Sequence, residues 1–270
     1  MQNITYMVKR WIILTVLLTA VQALAAEDIR LATTTSTENS GLLKAILPLF
    51  EAQYGGKVRV VSVGTGAALK LGENGDVDVV LVHARALEDK FMAAGFGSLR
   101  KDVMYNDFII VGPKGDPARV RGGKDVLAAM KRISASGAKF ISRGDESGTH
   151  QIEKDYWKSA SVDPKGSWYV SAGQGMGQVL TMAAQLEGYT LTDRATYAAY
   201  NEKTGLETLV EGDPKMFNPY GVIAVDPQRY PTLNNAGAMA LVNWLTSAEG
   251  QKAISAFRIN GVQMFFTTAK

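Results

Sequence analysis

F-I-S-R-G-D-E-S-G-T-H, residues 140–150, is the stretch whose reading decides the rest of the chain. Phe140 and Ile141 have the character of a buried strand end, and Ser147, Gly148 and Thr149 read as the first turn of a helix continuing over 151–160. Arg143 lies between them, and its planar fork of N–H donors suits a bidentate oxyanion. A helix start adds unpaired main-chain N–H groups and the positive end of the helix dipole. The hydroxyls of Ser147 and Thr149 add further donors. One short loop thus unites a full charge, oriented dipoles and hydroxyls, which is the make-up of an anion cradle. The plainer reading is an ordinary N-cap, with Arg143 paired to Asp145 or Glu146. Similar loops elsewhere in the chain favour the cradle.

The first of these follows a short strand over 28–33, where Ile29 and Leu31 alternate with polar residues. It runs into Thr33-Thr34-Thr35-Ser36-Thr37, five consecutive hydroxyl residues, before apolar residues at helical spacing over Leu42–Tyr54. Ser40 or Asn39 is the expected N-cap of that helix, and five hydroxyls exceed what capping needs. The next is the strand Val58–Val63, the turn Gly64-Thr65-Gly66 and a helix over 67–71, with 72–75 read as a loop. Glycines there let main-chain N–H groups approach a ligand closely. A buried parallel strand is expected over 77–82, with His83 just past its carboxyl end, where open α/β sheets place ligands. A surface turn histidine is the alternative. Another glycine-rich turn, A-G-Q-G-M-G over 172–177, opens a helix over 178–186. It loosely matches a dinucleotide-binding loop, but its third glycine is wrongly spaced, and Asp193 reads as the start of a helix over 193–200.

Further helices are expected over 87–94, 126–133, 236–245 and 249–257. Tyr156, Trp157, Trp168 and Tyr169 read as packing rather than carbohydrate-stacking residues. Strands alternating with helices give an α/β fold with ligands at the strands' carboxyl ends. Residues 103–111 form an apolar stretch broken at Asn106-Asp107, followed by a turn-rich linker over 112–117. Residues 219–225 are the matching return. The expected organisation is therefore two α/β lobes joined by two hinge crossings: 26–112 plus 219–270 as lobe 1, and 113–218 as lobe 2. The Thr35 and Thr65 loops then face the Arg143 and Gly175 loops, and a ligand touching both lobes favours closure.

Lys9 and Arg10, an apolar run over 11–21, and Ala23-Leu24-Ala25 make residues 1–25 a cleavable signal peptide, too short to span a bilayer as a stable helix. Its removal takes the formal charge from +3 to about +1. So little charge, without a basic cluster, argues against nucleic acid as a partner. The absence of cysteine excludes disulfides and thiolate metal sites, and only two histidines, His83 and His150, make a metal site improbable. A serine hydrolase built on Ser147 and His150 is the reading from another class. The chain has no G-x-S-x-G elbow, P-loop or metal-ligand cluster to support it.

Four motifs in order, T-T-T-S over 33–36, V-G-T-G over 63–66, V-L-V-H over 80–83 and S-R-G-D-E-S-G-T-H over 142–150, resemble the periplasmic tungstate-binding proteins of ABC importers. The resemblance covers essentially the whole mature chain. It implies a type II periplasmic-binding-protein fold that hands tungstate, or the similar molybdate, to a membrane permease, with no catalysis, no cofactor and a monomeric state. Carried over by motif, the anion contacts are Thr34, Thr35, Ser36 and Thr65 from one lobe, and Arg143, Ser147, Gly148 and Thr149 from the other. Gly175 and Met176 are further contacts, and His83 and Asp145 stand behind them. Phosphate-binding proteins share the arginine loop but place a carboxylate after the third strand, where this chain has His83-Ala84-Arg85.

Overall fold

A computed structural model describes residues 26–267, so the signal peptide expected over 1–25 lies outside the described residues. The chain opens with β1 (Ile29–Thr34), and α1 (Thr35–Asn39) follows without a loop. Thr34 Oγ1 accepts the Thr37 N–H over 3.2 Å and so starts a helix where a hydroxyl loop was expected. Gly41, at φ +80°, then turns the chain into α2 (Leu42–Tyr54). Gly41, not Ser40 or Asn39, is the N-cap of α2, although the Ser40 hydroxyl accepts from Leu42 N at 3.2 Å.

Next come β2 (Val58–Val63), α3 (Thr65–Asn74), β3 (Val79–Val82) and α4 (Arg85–Ala93). α3 continues through the stretch read as a loop because Gly72 lies flat against Phe91 and Val80, where a Cβ would stand 3.0 Å from each. The sixteen-residue β4 (Gly97–Gly112) is followed by α5 (Val126–Ser136), β5 (Phe140–Ser142), α6 (Gly148–Ser159), β6 (Tyr169–Ser171) and α7 (Met176–Gln185). Then come β7 (Thr190–Asp193), α8 (Arg194–Thr204), β8 (Glu207–Val210) and β9 (Phe217–Val225). The chain closes with α9 (Asn235–Leu245), α10 (Ala248–Ala256) and the short β10 (Arg258–Ile259), β11 (Val262–Gln263) and β12 (Phe266–Thr267).

The main sheet runs β2–β1–β3–β9–β4–β12, and β7 and β8 pair with the far end of β4. β1, β2 and β3 are parallel, and Thr34 pairs with Val63 while Thr33 pairs with Leu81. Their carboxyl ends therefore share one edge, which sets the starts of α1 and α3 and the residue His83 side by side.

The apolar residues fall into two sets of cores. Ile29, Leu31, Leu42, Phe50, Val79, Val222 and Leu241 belong to one set, and α8 reaches into it through Ala195. Phe108, Ile110, Met130, Ile133, Phe140 and Trp157 belong to the other. β4 runs through both, since Val103 packs in the first while Phe108 and Ile109 pack in the second, and β9 packs in the first through Tyr220 and Val222. Tyr156, Trp157, Trp168 and Tyr169 are indeed packing residues around Phe140. The Gly112–Pro117 region is not a slack linker: Asp116 accepts from Val120 N, Arg121 N and the Tyr189 hydroxyl, which fastens the turn to the second core. Among the described residues no helix is long and apolar enough to cross a membrane.

Candidate functional site

Four helices begin around one point, and their N-caps share an extended conformation: Thr34, Gly64, Ser147 and Gly175, with ψ of 150°, 156°, 167° and 159°. Contacts between them fix the arrangement. Arg143 Nη2 donates to Thr35 Oγ1 over 3.0 Å, tying the arginine loop to the first turn of α1. Gly148 N donates to Thr65 Oγ1 over 3.0 Å, tying α6 to α3. A Cβ on Gly175 would lie 3.7 Å from Thr35 Oγ1, so the start of α7 abuts the same turn.

Glycine at 148 suits this approach, because a Cβ would stand 3.0 Å from Thr65 Oγ1 and 3.3 Å from His83 Cε1, tight enough that its neighbours would have to give by a few tenths of an ångström. Gly144, at φ +62°, sits in the left-handed region where side chains are strained, and a Cβ there would overlap the Ser171 hydroxyl.

Arg143 is the centre of the arrangement. Only 1 % of it is exposed, yet Nε and Nη1 have no hydrogen-bond partner, and neither has the buried Thr149 Oγ1. Buried donors without partners are costly, roughly 1–3 kcal/mol each, and among the described residues all such donor atoms except Trp244 Nε1 fall in this loop and the helix turn after it. Asp145 offsets part of the charge: one carboxylate oxygen pairs with Arg143 Nη2 and the other accepts from Ser147 N at 3.2 Å. The plainer reading of the loop is therefore met in part, since Arg143 does pair with Asp145, but that pair uses a single corner of the guanidinium. Two of its nitrogens stay without a partner.

The remaining sequence candidates divide by what their side chains already do. The Ser147 hydroxyl caps α6 by accepting from His150 N at 3.2 Å, and Thr34 Oγ1 caps α1. Met176 is fully buried in a core with Ile109 and Leu180, leaving its main chain for the first turn of α7. Gly64 and Gly175 bring no side chain to cap their helices, so the first N–H groups of α3 and α7 have no side-chain acceptor.

His83 is not a surface histidine. It is buried, stacks on Tyr220 with centroids 4.7 Å apart, and lies between Ser36 Oγ at 3.2 Å and Asn218 Oδ1 at 2.9 Å. Burial, with the nearby charge of Arg143, lowers its pKa to about 4, so the ring is neutral at pH 7. The Ser–His–Asn row has the outline of a nucleophile and its base. An imidazole this weakly basic, backed by a neutral amide rather than a carboxylate, is a poor general base near neutrality. At the other serine, His150 turns Nδ1 to Glu146 N at 3.1 Å, not to the Ser147 hydroxyl.

Polar residues to which the sequence reading gave no part in the site complete the surroundings. Glu153, 1 % exposed, accepts from Ser142 Oγ at 2.8 Å, Trp157 Nε1 at 3.0 Å and the Tyr169 hydroxyl at 2.8 Å. Burial pushes its pKa up to about 7, against these bonds and one from the Arg143 main chain. Asn106, Asn218 and Asp193 form a second buried set. Asp193 both ends β7 and caps α8 by accepting from Thr196 N at 2.9 Å, and burial raises its pKa. The sequence signal for two of these was the pair of Asn-containing breaks flanking the apolar crossings. Among the described residues no group of three or more His, Cys, Asp or Glu is placed to hold a metal ion.

Four helix starts and the unpartnered donors of Arg143 and Thr149 thus meet at the carboxyl ends of a mixed α/β sheet. The profile of the PBP superfamily domain matches residues 20–249. The chain belongs to the PBP superfamily. Within that superfamily it is 48 % identical to the tungstate-binding protein TupA of Peptoclostridium acidaminophilum, over 86 % of this chain and 82 % of the relative. The crystal structure of the tungstate ABC transporter from Geobacter sulfurreducens matches with a TM-score of 0.80 and 58 % identity, covering 85 % of this chain and 98 % of that one. TupA from Desulfovibrio alaskensis G20 matches with a TM-score of 0.78 and 46 % identity, covering 91 % and 100 %. The PBP superfamily assignment and the mixed α/β sheet agree with the fold class expected from the sequence.

Proposed function

We propose that this protein captures tungstate between two lobes and delivers it to the membrane permease of an ABC importer. The observation that carries the reading is the set of buried, unpartnered donors on Arg143 and Thr149 among four helix starts. Its relatives named for tungstate support the choice of anion. Thr34, Thr35, Ser36, Thr65, Arg143, Ser147, Gly148, Thr149, Gly175 and Met176 supply the contacts, several of them through main-chain N–H groups. His83 and Asp145 stand behind them.

A tetrahedral dianion with no proton needs donors only, and hydroxyls, amides and one arginine provide them. Two negative charges against one arginine are workable because fixed dipoles in a water-poor cleft count for more than in bulk water. Molybdate shares this charge and geometry and is the companion ligand. The lobes are residues 26–112 with 219–270, and 113–218, with β4 and β9 as hinge crossings. The protein acts in the periplasm as a monomer after removal of residues 1–25, binds without catalysis and needs no cofactor.

Phosphate carries a proton for much of the range from pH 6 to 8 and requires an acceptor. The nearest carboxylate, Asp145, already accepts from Arg143 and Ser147. An unpaired buried group costs roughly 1–3 kcal/mol, and a cavity shaped to a larger oxyanion loosens the other contacts. Phosphate should therefore bind at least about a hundredfold more weakly. The test is competition: protein loaded with tungstate is challenged with a hundredfold excess of phosphate at pH 6, 7 and 8. Retention of tungstate is the expected result, and ready displacement at any pH makes phosphate the ligand instead.

A further inference from the structure

A hydrogen-bond chain of fixed polarity leads from the anion site to the strands that join the two halves. Its far end is Asp193 Oδ1, an acceptor for the Thr196 main-chain N–H at 2.9 Å and for Asn106 Nδ2 at 3.3 Å. The Asn106 amide is thereby oriented, with its oxygen accepting from Asn218 Nδ2 over 2.7 Å. Asn218 in turn has its oxygen left for His83, so the imidazole proton sits on Nδ1 and is donated over 2.9 Å. A neutral imidazole protonated at Nδ1 has a bare Nε2, and the group beside it is Ser36 Oγ at 3.2 Å.

Ser36 has one hydroxyl hydrogen and two neighbours for it, His83 Nε2 and Thr34 Oγ1 at 3.0 Å. Thr34 Oγ1 already accepts from Thr37 N and lies 2.6 Å from Thr37 Oγ1, so it does not depend on Ser36. The buried Nε2 has no other donor in reach and would be left unpaired. The hydrogen therefore goes to His83.

We infer that His83 is a positioning residue of the anion site: it takes the Ser36 hydroxyl hydrogen while Asn218 holds the ring, so Ser36 meets the oxyanion through its main-chain N–H and not its hydroxyl. This rests on the oxyanion reading above and refines it, since Ser36 belongs to the T-T-T-S motif whose side chains would otherwise all count as donors. Asn106 lies on β4 and Asn218 on β9. The donor pattern of the first turn of α1 is thus imposed from the two crossing strands, a link that ties anion recognition to the geometry of the hinge.

The test uses the full mature chain labelled with 15N-histidine, with His150→Gln to assign the two imidazoles. At pH 7 the His83 ring should show a protonated Nδ1 and an unprotonated, hydrogen-bonded Nε2, with and without tungstate. In calorimetric titrations with tungstate, His83→Phe, which keeps a ring but removes both nitrogens, should bind about tenfold more weakly. Ser36→Ala removes the same hydrogen bond and should lose a similar factor, and the double variant should bind no more weakly than either single one. Losses that multiply in the double variant, or a protonated Nε2, overturn the inference. If His83→Phe fails to fold, the ring spectrum of Ser36→Ala still decides: Nε2 should stay unprotonated and lose its hydrogen-bonded shift. Failure of the unmodified protein to bind tungstate would instead refute the underlying oxyanion reading, and the ring spectrum would separately report the tautomer.

Discussion

The main-chain N–H of Gly148 donates to the Thr65 hydroxyl over 3.0 Å, joining the first turn of α6 to the first turn of α3 across the proposed cleft. The contact leaves no room for a side chain at position 148. Gly148→Ala sets a methyl group 3.0 Å from Thr65 Oγ1 and 3.3 Å from His83 Cε1, so the two turns must separate by a few tenths of an ångström. Affinity for tungstate should fall about tenfold or more while the fold is retained, because the strain lies at the interface and not in either core. Calorimetric titration beside a thermal melt separates the two effects. Unchanged affinity would show that the helix starts do not need to meet this closely.

Arg143→Lys addresses the shape of the cation. A lysine ammonium reaches the same region as a point charge, without the planar fork that engages Thr35 and Asp145 through one corner and leaves two nitrogens open. The variant should keep its fold and bind tungstate more weakly than the unmodified protein but more tightly than Arg143→Ala. Equal affinity of the lysine variant and the unmodified protein would assign the arginine a purely electrostatic role.

Two buried groups give the protein opposite pH signatures. The pKa of Glu153 is raised to about 7 by burial, so between its ordinary value near 4.5 and 7 the folded state holds the proton more tightly than the unfolded chain. Stability from this group is therefore present at low pH and lost as pH rises toward 7. The pKa of His83 is lowered to about 4, so the unfolded chain takes up the proton first and stability is lost as pH falls below 6.5. Glu153→Gln keeps an acceptor for Trp157 and Tyr169 and places a donor beside the Ser142 hydroxyl, which can accept. At pH 8 the variant should be at least as stable as the unmodified protein, by up to about 3 kcal/mol, with the advantage shrinking as pH falls to 5. Denaturant melts at pH 5, 6.5 and 8 measure this, and a Gln variant that is least stable relative to the parent at pH 8 contradicts it.

The site's outline was legible in the sequence because each helix start carries its own local signature, a hydroxyl or glycine turn between a strand and an amphipathic run. Thr35, Thr65, Arg143 and Gly148 were found that way, and they meet in space. His83 was placed at the end of β3 but its burial was not foreseen, since what covers it, Tyr220 and Phe108, comes from strands far along the chain. β7 and β8 were missed because T-L-T-D and E-T-L-V are four residues each, too short for a period to show. Asn106 registered only as part of a break in an apolar run, and Asn218 only as the end of the expected second lobe. Their meaning is a pairing between residues 112 positions apart, which no local pattern encodes.

If the proposed lobes both supply donors, the anion should favour their closure. Binding of the anion should draw them together and raise the melting temperature by mass action. Solution scattering with and without tungstate should show a smaller radius of gyration in the bound protein. Tight binding with an unchanged radius would contradict a hinge-closing mechanism.

The most direct test of the proposed capture is calorimetric titration of the mature protein and its Arg143→Ala variant with tungstate. The unmodified protein should bind one tungstate per chain. The variant should melt as a folded protein but bind at least about thirtyfold more weakly, as removing one side of a buried charged hydrogen bond costs on the order of 2–5 kcal/mol. No binding by the unmodified protein, or equal binding by the two, would contradict a tungstate site built around Arg143.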